Sequence, residues 1–534
     1  MGPIIGFLLA VIPILVVFAG LVFFKKGGTF MGIVGWILTL AIAILFFNTS
    51  PEIAVYASLA GVLASFSIAL MVLFTILQVT MMDVTGAIRS ITAFVKTIAA
   101  ERYEQIMLLN VGLGTFLVSI GATPVTMLPP IMIALGFSPL AAIALPCLGY
   151  DPLTSFSLLA VPIKAPADTF GLDANQMAIN VSLFLPVVAT GLSMGMLWVA
   201  DGWAGVKKGF VPSIVAGLTL GLSAIAFVRL FPAYMNLTGV FGGLMAVLAL
   251  LLLRVARGKP IFIRAGAAGK HVAADGGDAP VMPLWRALSP WVLLVLFCVV
   301  ISVPEVNRGL YDALGGVQKI HITGDQSVDL KLLTQAYVWV LVSTVLSAPL
   351  LIRNRAEAVK TLKVWLKRAW SPTVAAAVFF AIAYVMFWSA KSVDPATGRL
   401  VAADMSMNMN YVIGAALATG LGAFLFPLVS PLLGLFGGFV SGSETSSNVM
   451  FYKILEAATD KLATASSRID LMKVFAGHAV AGGIASGIAV AKIVNAAAVI
   501  DKIGMEGEVI RKSAAVIIVL TLITGLMLAA WTLF

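Results

Sequence analysis

From Gly2 to Phe24 the chain carries no charged residue, and apolar stretches of comparable length recur all the way to its end. A helix needs about 20 such residues to cross roughly 30 Å of hydrocarbon. Inside that layer each backbone N–H and C=O must be satisfied within the protein, which leaves only helices and closed barrels. Barrel strands alternate polar and apolar side chains, and these runs do not. Spans are therefore read as helices at 4–24, 30–47, 53–80, 178–200, 210–230, 235–254, 287–303, 332–352, 371–390 and 513–533. The predicted fold class is an all-α polytopic membrane protein. The first run, "MGPIIGFLLAVIPILVVFAGLVFF", has no basic residue ahead of it and is long enough to span. It reads as a first transmembrane helix and not as a cleaved signal.

Composition narrows the function. With 60% hydrophobic and 11% charged residues, the chain is far from the balance of a soluble domain. A net charge of +10 would suggest a nucleic-acid partner in a soluble protein. Here the lysines and arginines lie in loops between apolar runs, where they set orientation, so the expected partner is the bilayer and no nucleic acid. Cys147 and Cys298 sit in separate apolar runs and support neither a disulfide framework nor a metal cluster. The histidines are His271, His321 and His478, without an HExxH pattern and with only one in a span. No catalytic constellation and no cofactor are expected, and the chain is read as a non-enzyme.

Orientation follows from the basic residues. Lys25 and Lys26, then Arg89, Lys96 and Arg102, then Lys207 and Lys208, and the loops 254–286 and 353–368 are placed in the cytoplasm. Loops 304–331 and 391–410 are placed outside, and counting crossings puts both termini outside. Residues 82–103 read as an amphipathic helix along the inner surface. Two regions, 104–166 and 411–500, are apolar but interrupted by Gly, Pro and small polar residues. The crossing count closes when each holds a re-entrant hairpin followed by a broken span. The first hairpin runs over 105–135 and tips at "SIGATP" (119–124), and the crossing 139–165 breaks at "GYDPLTS" (149–155). The second runs over 428–458 and tips at "SGSETSSN" (441–448), and the crossing 474–500 breaks at "GGIASG" (482–487). Residues 1–200 and 287–534 then form two inverted-topology repeats, joined by a linker helix pair and a basic loop over 201–286. That is the plan of a secondary transporter. Irregular polar backbone is tolerated at membrane depth only where it lines a cavity or is buried in protein, so both tips are expected at a substrate site.

The segments "GATPVTMLPPIMIALGFSPLAAIA", "FGGFVSGSETSSNVMF" and "GMEGEVIRK" carry a resemblance that extends, with length and span count, over nearly the whole chain. They are similar to segments of the lactate permease family of bacterial carboxylate transporters. Two positions depart from that family's pattern. "VSIGATP" lacks the acid usually found ahead of the Thr-Pro, and "AVAKIVN" places Lys492 where Pro-x-Asn is common. The resemblance implies a secondary active transporter of a bacterial inner membrane. Its substrate would be a small hydroxy-monocarboxylate of the lactate or glycolate class, moved with a proton by alternating access. A homo-oligomer is compatible with it. The alternatives are a sodium-coupled carrier of another organic anion and an anion channel built from the same tips.

A small carboxylate needs donors and positive potential, which helix N-termini supply. Gly121, Thr123, Ser441, Ser443, Thr445, Ser446 and Asn448 are expected to line the site, with close helix packing as the competing role for the small residues. Lys492 either balances the substrate's charge or snorkels towards the cytoplasm. Asp151 and Glu444 are the acids at membrane depth and the candidates for proton coupling. Asp151 comes first because a helix break admits water, whereas an N-cap role would explain Glu444 equally well. His478 is read as a packed or pore-lining neutral ring and Lys164 as structural.

Overall fold

The computed structural model describes residues 3–24, 26–97, 101–121, 124–149, 151–261, 281–402, 404–463, 469–500, 502 and 504–533. Within them the chain is almost wholly helical, and nine helices are long and apolar enough to cross a membrane. The bent pair Pro139–Gly149 and Thr154–Phe170, folded by 64° at its break, makes a tenth. Large apolar side chains such as Phe30, Leu45, Leu222, Leu248, Leu296 and Leu526 are exposed, as a lipid-facing surface requires.

Local chemistry sets the helix ends. Ser50 caps helix Pro51–Ala64 by accepting from Ile53 N at 3.2 Å, with Pro51 at the first position and Glu52 in the first turn. Asp470 accepts from Met472 N and Lys473 N to start Leu471–Ile484. The 46-residue helix Leu185–Leu230 is two spans folded back at Asp201–Gly202, where Gly202 takes φ +62°. A side chain on Gly217 or Gly221 would collide with the Thr190 or Pro186 backbone, so glycine is what lets the two arms lie together.

Both odd regions are interrupted helices. The first hairpin rises through Arg102–Ser119 with a π-helical stretch at Met107–Leu113, and returns as Pro124–Ala134. Helix Pro139–Gly149 then breaks and resumes at Ser157–Phe170. The second hairpin arrives on Met409–Ser441, cornered at Gly422, and returns as Glu444–Leu462. Leu471–Ile484, a 3-10 turn at Ala485–Ile488 and Val490–Ala498 form its broken span. Two boundaries differ from the sequence reading: the stretch 53–80, read as one span, is two helices, Pro51–Ala64 and Phe66–Val84, meeting at Ser65, and the second tip is shorter than read. The second tip is only Gly442 and Ser443, and Glu444–Asn448 are wound into the first turn of the return helix. Gly442 takes the left-handed conformation at φ +69° and ends the arriving arm, while Ser443 caps the next helix. Polar composition alone could not distinguish a loop from a capped helical turn.

Beyond Ser302 the chain adds the helix Pro304–Leu314 and two short antiparallel hairpins, Lys319–Thr323 with Gln326–Asp329 and Lys391–Val393 with Leu400–Ala402. The Asp325 carboxylate joins the hairpins by accepting from Leu400 N at 3.0 Å.

Candidate functional site

The two hairpin tips and the two broken helices meet around one cavity of about 560 Å³. Of the residues singled out in the sequence, Gly121, Ser441, Ser443, Glu444, Thr445, Ser446 and Lys492 line it. Thr123 lies outside the described residues. Asn448 and Asp151 do not line the cavity.

Its second wall is built by the helix N-terminus at Glu444. Ser441 Oγ donates to Gly437 O at 2.7 Å and accepts from Ser443 N at 3.2 Å, which tightens the turn. Ser443 Oγ accepts from Ser446 N at 3.3 Å, so the cap is Ser443 and not Glu444. That frees the Glu444 carboxylate for another role. Its Oε1 accepts from Ser155 Oγ at 2.6 Å, across from the break of the first broken helix. Its Oε2 has no hydrogen-bond partner and lies against Gly483, where an added Cβ would come within 2.7 Å. Ser446 Oγ is also unpartnered although the residue is only 2% exposed. The residue lines the cavity, so a small shift of its side chain would bring a donor to whatever enters.

Asn448 acts one half-turn deeper. It is fully buried and its Nδ2 donates to Pro162 O at 3.0 Å, tying the return helix to the resumed half of the broken span. That half begins with an unusual turn, since Leu158, Leu159 and Ala160 take φ +52°, +58° and +62°. Each L-residue in a left-handed turn costs roughly 1–2 kcal/mol. Strain of this kind persists only where surroundings enforce it, and Leu158 lines the cavity.

Lys492 stands on Val490–Ala498 with its ammonium hydrogen-bonded to Ser486 Oγ of the preceding 3-10 turn. Asp151 is 3% exposed behind this wall, beside Gly487 and Ser486, with Lys492 and Glu444 as its nearest charged neighbours. A Cβ on Gly487 would approach Asp151 Oδ2 to 3.0 Å. The expectation that the helix break would expose Asp151 to cavity water is not met. The break turns it inward instead. His478 is fully buried, its Nε2 lies 3.3 Å from Ser447 Oγ, and its ring packs against Phe475 and Phe451.

The sequence reading missed several lining residues. Ile68, Met71, Val72, Thr75, Ile76, Val79 and Asp83 form one face of helix Phe66–Val84 at spacings of three and four. Thr75 within that span was the available signal. Thr126, Thr154, Ser157 and Asn495 add further polar groups. Asp83, Arg89 and Arg368 stand together at one end of the cavity, with Arg368 Nη1 3.5 Å from Asp83 Oδ2.

Among the described residues no cluster of His, Cys, Asp and Glu could hold a metal ion. The sequence profile of the family described as L-lactate permease matches residues 6–533. An L-lactate permease of Streptococcus iniae is 25% identical over 464 residues, covering 85% of this chain and 91% of its own length. The L-lactate permease of Escherichia coli strain K12 is 23% identical over 551 aligned positions, covering 97% and 94%. A glycolate permease of the same strain is 25% identical over 473 positions, covering 83% and 82%. With the match running from the first helix to the last, the chain belongs to the L-lactate permease family, whose named members are permeases and not enzymes.

Proposed function

We propose that the protein is a secondary active transporter of a bacterial inner membrane that carries a small hydroxy-monocarboxylate, of the lactate or glycolate class, together with a proton. The observation that carries this reading is the cavity itself. It gathers Lys492, Ser446, the capped N-terminus at Ser443 and a buried Glu444 from the C-terminal half with Gly121, Thr126 and Thr154 from the N-terminal half. A helix N-terminus with free hydroxyls suits a carboxylate, and Lys492 balances its charge. Carrying one proton with each carboxylate leaves the site's net charge equal in the loaded and empty states. That matters because a net charge at membrane depth costs several kcal/mol.

Glu444 is the better proton carrier, because it lines the cavity while Asp151 lies behind the wall. Residues 1–200 and 287–534 are read as inverted repeats bridged by 201–286. What supports this is the reciprocal docking. Return helix Glu444–Leu462 ties to the first broken span through Asn448 and Pro162. On the other side Val125, Thr126 and Pro130 face Lys492, Asn495 and Val499 across the cavity. Alternating access would move these paired elements around a common site.

The experiment is uptake of labelled lactate, glycolate and larger carboxylates into proteoliposomes under an imposed pH gradient or an imposed sodium gradient. Uphill accumulation of the small hydroxy acids with the pH gradient is the expected result. Accumulation with sodium alone would replace the proton, and downhill flux only would make the protein a channel.

A further inference from the structure

Asp83, Arg89 and Arg368, which line the cavity and are exposed, mark its mouth. This end adjoins the basic loops, since Ser90 Oγ accepts from Val281 N and Met282 N, and Arg353 Nη2 donates to Val281 O. Three of the helices that form its walls continue past the opposite end, and there they converge. Phe170 ends the first broken span, Tyr452 lies on the second return helix, and Phe387 ends helix Arg355–Trp388. Phe170 stacks on Tyr452 at 4.6 Å with an interplanar angle of 18°, and meets Phe387 edge-on at 5.7 Å. On one helix, Arg368 marks the mouth, Ala375 and Ala376 the wall and Phe387 the ring cluster. At 1.5 Å per residue Phe387 is about 28 Å from Arg368, close to the thickness of the hydrocarbon. The rings therefore stand about one hydrocarbon thickness along this helix from the mouth.

Two lysines cover these rings. Lys453 Nζ lies 5.4 Å from the centroids of Phe170, Phe387 and Tyr452 alike, and is paired with Glu456 at 2.7 Å. Lys391 Nζ lies 3.9 Å above Phe387. Among the described residues Lys391 has no carboxylate within ion-pair distance. Burial first, and then the like charge of Lys453, hold its ammonium down to about 8, with Glu456 and Asp325 opposing. A half-buried cation resting on an aromatic face, without a counter-ion, is set to receive an anion.

We propose that Lys391 and Lys453 form a second carboxylate-binding site at the closed end of the pathway, and that the Phe170, Tyr452 and Phe387 rings are the gate between it and the central cavity. The ligand is the transported monocarboxylate, so this assignment rests on the transport reading above. The site raises the local anion concentration at the gate. Opening the gate requires Phe170 to leave Tyr452, which a movement of the strained Leu158–Ala160 turn on the same helix would allow.

The test uses the full-length protein in phosphatidylcholine vesicles, which removes anionic headgroups as a competing ligand. Counterflow is measured with substrate offered from either face of the protein. Lys391→Gln should raise KM about three- to ten-fold from the Lys391 face alone, as expected for one charge-assisted contact in a partly wet site. Lys391→Arg should restore it. An unchanged KM, or an equal rise from both faces, would overturn the site. Wild-type counterflow checks the transport reading separately. The gate has its own readout, independent of transport. An Ala376→Cys reporter in a chain lacking Cys147 and Cys298 should resist an impermeant thiol reagent applied from the Lys391 face. Adding Phe170→Ala should make it reactive from that face. Equal labelling with and without Phe170 would overturn the gate.

Discussion

Ser446 and Asn448 lie within one turn of the same helix, yet their polar atoms have opposite obligations. Ser446 lines the cavity with its buried hydroxyl lacking a protein partner, while the Asn448 amide nitrogen is held by the Pro162 carbonyl. Ser446→Ala should therefore leave thermal stability unchanged and weaken substrate binding by roughly 1.5–3 kcal/mol, the worth of a hydrogen bond to a charged group. Asn448→Ala should do the reverse. It strands a buried carbonyl and should cost about 1–3 kcal/mol of stability, read as a lower melting temperature. Glu444 adds a functional contrast. Glu444→Gln keeps the contact to Ser155 but cannot take up and release a proton. It should lose pH-gradient-driven accumulation and retain counterflow at equal pH. Full accumulation in that variant would move the coupling role to Asp151 or to the substrate.

At the scale of elements, the broken helices work through backbone geometry more than through side chains. The left-handed turn at Leu158–Ala160 stores strain in residues that resist it. Ala160→Gly should relieve about 1 kcal/mol of that strain, raise the melting temperature and, if the turn moves during transport, slow turnover. The second hairpin depends instead on contact without side chains. Gly434 and Gly438 lie against the backbone at His478 and Gly482, and an added Cβ on Gly438 would come within 2.3 Å of Gly482 O. Gly438→Ala must push the arm off the broken span and should cost about 1–3 kcal/mol, measured by thermal denaturation in detergent.

For the whole molecule, the orientation has a direct check. Val317 and Lys360 are both exposed, on segments assigned to opposite faces. In intact cells an impermeant reagent should label Val317→Cys and spare Lys360→Cys, and the converse result would invert the assignment. The face of the basic loops is held by a buried pair, Arg254 Nη1 with Glu104 Oε2 at 2.6 Å, joined by Lys259 and Glu101. The hydrogen bond from Lys259 holds Glu101 below the ordinary carboxylate range. Its contribution is therefore complete at neutral pH and is lost as pH falls through that lowered value. Glu104→Gln should cost about 3–5 kcal/mol, because it leaves Arg254 charged and buried without its partner.

The all-helical, membrane-spanning character and the two interrupted regions were legible in the residues, although the stretch 53–80, read as one span, is two helices, Pro51–Ala64 and Phe66–Val84. Hydrocarbon thickness and the need to satisfy every backbone group act locally, and Gly, Pro and Ser mark where the chain departs from a continuous helix. The resolution of that reading ended at the caps. "SGSETSSN" announced a polar feature at depth, but only the folded backbone showed that Ser443 caps a helix and releases Glu444. Partnership across the chain was decided by tertiary structure alone. Ser155 finds Glu444 and Asn448 finds Pro162 across nearly 290 residues of sequence. No pattern of spacing encodes such contacts, because they depend on how two separately built halves dock. The same docking turned Asp151 away from the cavity and set Lys391 over Phe387 at its closed end. Local sequence fixes which groups lie at membrane depth, whereas packing between distant helices fixes which of them face water, a partner or the substrate.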